Sequence, residues 1–123
     1  MQNQKQKFGK KGESIAEKIL KKKGYKILER NYRTQLGEID IIAKDGDIIV
    51  FIEVKARKSK SYGSPKYAVT ITKQEKISKT ALIYLKSTDQ FHKRARFDVV
   101  TINPQEDNHT IEIIQNAFDL AYT

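Results

Sequence analysis

The stretch Gly37–Lys55, GEIDIIAKDGDIIVFIEVK, contains two apolar runs that are separated by the dipeptide Asp45-Gly46. Asp-Gly between apolar, β-branched runs favours a tight turn, so the stretch is predicted to form a β-hairpin. The second run is almost continuously apolar from Ile48 to Val54, which is typical of a strand covered on both faces. The sequence therefore predicts a sheet whose central strand lies in this hairpin.

The same hairpin carries acidic residues and a lysine. Residues two apart on a strand share a face, so Glu38 accompanies Asp40, and Glu53 accompanies Lys55 in the same way. Glu53-Val54-Lys55 is the single acidic-x-Lys sequence of the chain, and it ends the most apolar strand. Charge is costly there unless it is paired or binds a metal. A closed hairpin can bring the carboxylates and one ammonium group together, although a cross-strand ion pair between Lys55 and Asp40 is the simpler alternative.

Periodicity and turn residues predict the remaining elements. An apolar stripe with helical spacing predicts a helix over residues 13–23, with Glu13 at the edge of the stripe. The segment Thr72-Lys73-Gln74-Glu75 matches a capping box and predicts a second helix that ends near Lys86. Strands are predicted at residues 25–33, 97–102 and 110–114, and residues 116–123 are expected to cap one end of the core.

This order of elements places a helix between the hairpin and the last two strands. Such a crossover favours a parallel pairing of the strands on either side of it, whereas the hairpin strands are antiparallel. We therefore predict an α/β protein with a mixed β-sheet flanked by helices, in the order α-β-β-β-α-β-β. The length of 123 residues fits a single domain over residues 1–123, with a flexible basic arm at residues 1–11.

The composition narrows the class of protein. Hydrophobic residues make up 38% of the chain, enough for one compact core, but the longest apolar run is far too short to span a membrane. The polar N-terminal residues do not resemble a signal peptide. The chain has no cysteine, which excludes disulfides, thiolate metal sites and cysteine nucleophiles, and suits a reducing compartment. We expect a cytoplasmic protein with no membrane partner.

The charge indicates a polyanionic partner. Lys and Arg total 24 and Asp and Glu total 15, so the net charge is 24 − 15 = +9. The basic residues cluster at residues 5–11, 18–26, 55–60 and 93–96. A clustered positive excess on a small surface favours nucleic acid, with DNA preferred over RNA, rather than a generally basic protein.

The acidic residues of the hairpin have the chemistry of a divalent metal site. Mg²⁺ prefers carboxylate oxygens and retained waters, so Asp40 and Glu53, with the Val54 carbonyl, are candidate ligands of one Mg²⁺ or Mn²⁺ ion. Lys55 beside the metal is a candidate to orient the attacking water or to stabilise the charged phosphorus. Two further acids, Glu13 and Glu38, are candidates to support a ligand, a second metal or a water.

Basic and polar residues near the hairpin are candidates for contacts with phosphate. Three of them follow the hairpin directly, two open the second helix, where anions are favoured, and one precedes the hairpin. They are Arg57, Lys58, Lys60, Lys73, Gln74 and Arg33. The alternative for the first three is a solvated loop, and the alternative for Lys73 and Gln74 is that they merely cap the helix.

Two further sets of polar residues have simpler interpretations. Arg96 and Asp98 lie on one face of their strand and are predicted to form a structural ion pair. His92 and His109 have no partner at metal-ligand or triad spacing, so both are interpreted as surface residues.

In combination, several segments resemble the PD-(D/E)XK nuclease superfamily, which has the restriction-endonuclease-like fold. More closely they resemble a family of small bacterial proteins placed in that superfamily, and more remotely archaeal Holliday-junction resolvases. The matching segments span about residues 9–120 and include Gly12-Glu13, Gly24-Tyr25, Arg30-Asn31-Tyr32-Arg33, Gly37-Glu38-Ile39-Asp40, Phe51–Arg57, Lys73 and Arg96–Val100.

This resemblance implies functional roles for four residues. Asp40 and Glu53 would be metal ligands, Lys55 the catalytic lysine and Glu13 an auxiliary acid. The chain departs from the superfamily pattern at Ile39, where a proline often precedes the aspartate.

The leading hypothesis is a metal-dependent phosphodiesterase that acts on DNA. A chain this short has no spare module for reading sequence, so a structure-selective endonuclease is expected. A homodimer could present two sites to two strands. Two alternatives stay open: a non-catalytic nucleic-acid-binding module with the same fold, and an accessory factor whose tail at residues 116–123 docks on a partner.

Overall fold

The computed structural model describes residues 3–56, 69–103 and 111–119. In this part of the chain, two helices and five strands follow one another in the order α-β-β-β-α-β-β, as predicted. The helices are α1 (Gln4–Lys22) and α2 (Ile71–Ser87). The strands are β1 (Lys26–Arg33), β2 (Glu38–Asp45), β3 (Ile48–Ala56), β4 (Ala95–Ile102) and β5 (Ile111–Phe118).

The strands form one mixed sheet in the order β1-β2-β3-β4-β5. β3 and β4 are parallel, and the other neighbouring pairs are antiparallel. The hairpin of β2 and β3 closes between Asp45 and Ile48 through a two-residue turn, in which Gly46 adopts a positive φ of 61°. Both the hairpin and the parallel crossover that the sequence predicted are therefore confirmed.

The helices cover opposite faces of the sheet, and β3 shows this alternation along its length. Ile49 and Phe51 pack in the core cluster that includes residues of α2. Val50 and Ile52 pack in the cluster that includes Ala16 of α1. Because β3 is central and buried on both faces, its charged end is enclosed by the rest of the fold.

Helix α1 begins much earlier than the sequence predicted. Gln6 N–H donates to Asn3 Oδ1 at 2.8 Å, and Asn3 N–H donates to Gln6 Oε1 at 3.0 Å, so the two residues form a capping box. This reciprocal cap satisfies the exposed end of a helix that contains two glycines. Residues 4–11, which were expected to form a flexible arm, are thus part of the helix.

Helix α2 also begins earlier than predicted. Its N-cap is Thr70, whose hydroxyl accepts the Lys73 N–H at 3.2 Å, so the cap lies two residues before the expected Thr72. At the other end of the chain, β5 continues to Phe118, whose ring stacks on that of Phe97 with a centroid distance of 4.8 Å. The residues 116–118 that were expected to cap the core instead extend the sheet.

Neither described helix is both long enough and apolar enough to cross a membrane.

Candidate active site

The hairpin register brings two carboxylates together at one end of the sheet, at the start of β2 and near the end of β3. The last pair of β2 and β3 is Ile41 with Ile52, so Asp40 and Glu53 are the next residues on the two strands. Ile39 and Ile41 pack into opposite core clusters although they are only two residues apart. The alternation of side chains therefore breaks at Asp40, and this irregularity re-aims the Asp40 carboxylate toward β3.

Asp40 lies within hydrogen-bonding reach of Glu53, and its Oδ2 accepts the Val54 N–H at 2.8 Å. Burial, followed by the charge of Glu53, raises the pKa of Asp40 to about 8, although the Val54 N–H opposes the shift. Two carboxylates in contact resist ionising together. Asp40 is therefore a group whose charged form is favoured when a cation binds nearby.

The cation that contacts Glu53 comes from α2 and not from β3. Lys73 forms an ion pair with Glu53, whose side chain is only 6% exposed. Burial acts to lower the pKa of Lys73, but the hydrogen bond and charge of Glu53 outweigh it, so the pKa is raised and the ammonium stays charged. Lys55 lies two residues along β3 and forms no ion pair with another residue of the described chain. The alternative pairing of Lys55 with Asp40 is not observed.

A second pair of acids is joined by an asparagine that the sequence did not single out as a site residue. With its amide oriented to satisfy its hydrogen bonds, Asn31 donates to Glu13 Oε1 at 3.0 Å and to Glu38 Oε1 at 3.1 Å. Asn31 has a positive φ of 51°, a conformation that asparagine tolerates better than most residues. Burial, and then the charge of Glu38, raise the pKa of Glu13. Asn31 thus ties α1 to the acidic edge of the sheet.

Glu38, Asp40 and Glu53 face a cavity of about 380 Å³ between the sheet and the beginning of α2. The wall of the cavity depends on Gly37, because a Cβ there would lie 3.0 Å from Thr80 Oγ1 and 3.3 Å from Lys76 Cβ. Without a side chain, the turn before β2 can approach α2 closely. The lining residues are Gly37, Glu38, Asp40, Glu53, Thr70, Thr72, Lys73, Lys76 and Ile77.

The donors at this edge fit a hard divalent cation. Asp40 and Glu53 supply carboxylate oxygens, the ligands that Mg²⁺ and Mn²⁺ prefer. The N–H and C=O groups of one strand residue point to the same side, so the Val54 carbonyl faces β2, as its N–H does. No group of three or more His, Cys, Asp or Glu side chains suited to a metal occurs within residues 3–56, 69–103 and 111–119. The metal therefore stays a prediction.

Three of the other predicted site residues, Arg57, Lys58 and Lys60, lie outside the described residues. His109, which was interpreted as a surface residue, also lies outside them. Gln74 donates from Nε2 to the Val69 carbonyl at 3.0 Å and does not line the cavity. Arg33 is exposed and pairs with Glu38 at 3.4 Å. His92 is exposed, as predicted.

The opposite end of the sheet holds a second polar cluster, which we call the Arg96 cluster. Arg96 Nε donates to both oxygens of Asp98 at 3.1 Å, which confirms the predicted ion pair. Arg96 also donates to Asp45 Oδ2 at 2.8 Å and to the Tyr25 hydroxyl at 2.9 Å. Asp98 Oδ1 accepts the Asn116 N–H at 3.1 Å. These contacts join Tyr25, just before β1, to strands β2, β4 and β5. Tyr25 and Asp45 also line a cavity at this end of the sheet.

Comparisons with known proteins find close relatives along nearly the whole chain. The sequence model of the uncharacterised protein family UPF0102 matches residues 12–102. A UPF0102 protein of Desulfosudis oleivorans is 56% identical over 119 residues, which cover 97% of this chain and 95% of the relative. A UPF0102 protein of Geobacter metallireducens is 53% identical over 115 residues, which cover 94% of each chain. A third, from Clostridium botulinum, is 50% identical and covers 89% of this chain and 91% of its own.

Proposed function

The chain belongs to the uncharacterised protein family UPF0102, and from its candidate active site we propose that it is a metal-dependent phosphodiesterase acting on DNA. The observation that carries this proposal is the contact between Asp40 and Glu53 in a cavity that opens beside a charged lysine, Lys73. A net charge of +9 favours a polyanionic substrate. The resemblance to PD-(D/E)XK nucleases supports the same reaction class.

Asp40 and Glu53, with the Val54 carbonyl, are the residues that would hold the metal. When bound, Mg²⁺ or Mn²⁺ would supply a water of lowered pKa and neutralise charge on the phosphate. The chain's own groups do the positioning. Glu53 is fixed by Lys73, and the Val54 N–H orients Asp40.

A lysine ammonium beside the phosphate would stabilise the charge that develops at phosphorus. Lys55 is proposed for this role by its place in Glu53-Val54-Lys55. Lys73 is the second candidate, because it already lines the cavity and its raised pKa keeps it charged. Glu13 and Glu38, held by Asn31, would support the metal ligands from the side of α1.

The substrate is proposed to be DNA of branched or flapped structure, because the described residues form one small fold without a separate module for reading base sequence. A cytoplasmic location, which the lack of cysteine favours, would give access to such DNA. A homodimer would present two sites to two strands.

Cleavage assays test this proposal. Purified protein is incubated with Mg²⁺ or Mn²⁺ and with a four-way junction, a flap, a fork and a linear duplex. We expect cleavage of a branched substrate that Asp40→Asn and Glu53→Gln each reduce at least about a hundredfold. Asp47→Asn is the matched control, because Asp47 is exposed in the turn at the far end of the hairpin. No cleavage by the wild type, or equal cleavage by Asp40→Asn, would eliminate the proposal.

One observation favours a second function, a non-catalytic nucleic-acid-binding module. Lys73 forms an ion pair with buried Glu53, and such a pair can serve a structural role. Calorimetry with Mn²⁺ separates the two functions. A non-catalytic binder shows no metal binding that depends on Asp40, and its affinity for DNA survives Glu53→Gln.

A further inference from the structure

The first two turns of α1 extend beyond the sheet, and we call residues Gln4–Lys11 the α1 extension. None of its described side chains is buried, and Gly12 is the first buried residue of the helix. A Cβ on Gly12 would lie 3.0 Å from Ala56 Cβ and 3.3 Å from Ile102 Cγ2. Ala56 and Ile102 end β3 and β4. At 1.5 Å per residue, the extension therefore continues for about 12 Å past these strand ends.

The α1 extension lies at the end of the sheet that carries the candidate active site. Glu53 and Val54 are near the end of β3, and Glu13 follows Gly12 directly. Burial raises the pKa of Glu13, and the nearby Lys10 ammonium opposes that effect. The other end of α1 points away from the site, because Lys23 shares a cavity with Asp45 at the opposite edge.

The α1 extension has an unbalanced positive charge. Lys7, Lys10 and Lys11 are exposed, and their spacing of three and four residues places them on one face of the helix. The extension contains no acidic residue. The C-terminal half of α1 differs, because Lys21 there pairs with Glu17 at 3.4 Å. The extension is thus a short cationic rod that projects past the end of the sheet at which the candidate active site lies.

We propose that Lys7, Lys10 and Lys11 bind backbone phosphates of the DNA arm that leads into the candidate active site. The proposal rests on the proposed function for the identity of the polyanion. Duplex DNA carries one charge for about every 1.7 Å of its axis, so a 12 Å rod faces several phosphates. Lysine acts as a point charge on a flexible stem, so these contacts hold the DNA in place without reading its sequence.

The same helix provides a control with equal charge. Lys18, Lys22 and Lys23 are exposed on the half of α1 that lies away from the site. The variants K7Q/K10Q/K11Q and K18Q/K22Q/K23Q each lower the net charge from 9 to 9 − 3 = +6. Glutamine keeps a good helix propensity. The N-terminal capping residues Asn3 and Gln6 are untouched, and the C-cap Lys23 acts through its backbone N–H. Circular dichroism and melting temperature verify that both variants fold as the wild type does.

The experiment measures binding of a labelled forked DNA in EDTA as a function of salt, so that cleavage plays no part. For K7Q/K10Q/K11Q we expect the slope of log Kd against log salt to fall by about 2–3, since each lost phosphate contact removes about 0.9. Affinity at low salt should drop about 10–100-fold. The control variant should change the slope by less than about 1.

Several outcomes overturn the proposal. Equal losses of DNA affinity in the two variants would mean that only net charge matters. An unchanged slope in K7Q/K10Q/K11Q would show that these lysines do not contact phosphates. A larger slope change with an RNA duplex than with DNA would overturn the choice of DNA. The experiment distinguishes the failure of this proposal from the failure of the proposed function. A slope change without cleavage supports DNA binding by the α1 extension and contradicts only the nuclease activity. Cleavage without a slope change contradicts only DNA binding by the α1 extension.

Discussion

The two ends of the sheet both bury carboxylates but neutralise them differently. In the Arg96 cluster, one guanidinium donates to Asp98, Asp45 and Tyr25, and the Asn116 N–H also donates to Asp98. At the candidate active site, Asp40 faces another acid and receives one N–H from Val54. A network of opposite charges stabilises a fold, whereas two acids in contact oppose each other's ionisation.

The pKa values of Asp98 and Asp40 distinguish a structural ion pair from a candidate functional site. Burial raises the pKa of Asp98, but the Asn116 N–H and the Arg96 guanidinium act against that shift. At Asp40 the next largest influence after burial is the charge of Glu53, which raises the pKa further. Perturbed groups of this second kind are concentrated at functional sites. The comparison leads to four predictions, in order of decreasing effect.

The largest effect is expected from removing the guanidinium of the Arg96 cluster. Arg96→Met leaves Asp98, whose side chain is 1% exposed, without its guanidinium. The free energy of unfolding should fall by about 3–5 kcal/mol, the usual cost of removing one partner of a buried ion pair. Urea denaturation measures it. Arg94→Met, at an exposed position two residues earlier, is the control and should cost less than about 0.5 kcal/mol. A loss of under 1 kcal/mol in Arg96→Met would contradict a structural role for the cluster.

The second effect is stabilisation of the folded protein by a metal ion bound at the candidate active site. A ligand that binds only the folded state, at a hundred times its Kd, adds about 2.7 kcal/mol to the free energy of unfolding. Mn²⁺ should therefore raise the melting temperature of the wild type and of Asp47→Asn. It should leave Asp40→Asn and Glu53→Gln unchanged. If all four proteins respond alike, the metal binds elsewhere on the chain.

The third effect is a pH dependence caused by Asp40. Its pKa in the folded protein, about 8, exceeds the unfolded value of about 3.9. The folded state therefore holds its proton more tightly. The stability from this group is complete below the unfolded pKa and is lost as pH rises through the folded pKa.

Metal-free Asp40→Asn should thus gain stability over the wild type as pH rises from 5 to 9. We expect a difference of about 1–3 kcal/mol at pH 9, since partial exposure and coupling to Glu53 reduce the full effect. Thermal melts in EDTA across this range measure it, with Asp47→Asn as the control. A difference that does not depend on pH would show that Asp40 is already ionised in the folded protein.

The sequence predicted the parts of the fold that depend on local rules. Asp45-Gly46 predicts the turn, and a two-residue turn fixes the register that sets Asp40 beside Glu53. The start of α1 was missed although its signal was present, because Asn3 and Gln6 have the spacing of a capping box. The polar, basic character of the same stretch had favoured a flexible arm.

The site was predicted where it depends on one hairpin and missed where it depends on packing between distant segments. Lys73 was a predicted phosphate contact, but its ion pair with Glu53 was not predicted, because it depends on how α2 packs on the sheet. Asn31 holds Glu13 and Glu38 through a positive φ within a strand. An asparagine within a predicted strand is an available signal, because it is unfavourable there without a special role.

The smallest predicted effect concerns the lysine that contacts the acidic pair. Lys73→Met removes the ammonium from buried Glu53, but Lys73 is 42% exposed, so the free energy of unfolding should fall by only about 1 kcal/mol. Lys76→Met, which lines the same cavity without an ion pair to Glu53, is the control.

Calorimetry with Mn²⁺ then shows whether Lys73 and a metal compete for Glu53. If the ammonium occupies the position of a cation in the metal-free protein, Lys73→Met should bind Mn²⁺ about tenfold more tightly than Lys76→Met does, which corresponds to about 1.4 kcal/mol. Equal gains in Mn²⁺ affinity in the two variants would indicate only that the loss of one positive charge changes the electrostatic potential of the cavity. Weaker binding of Mn²⁺ in Lys73→Met would show that Lys73 positions Glu53 for the metal and does not compete with the metal. The ammonium would then be aligning a ligand that cannot hold its position alone.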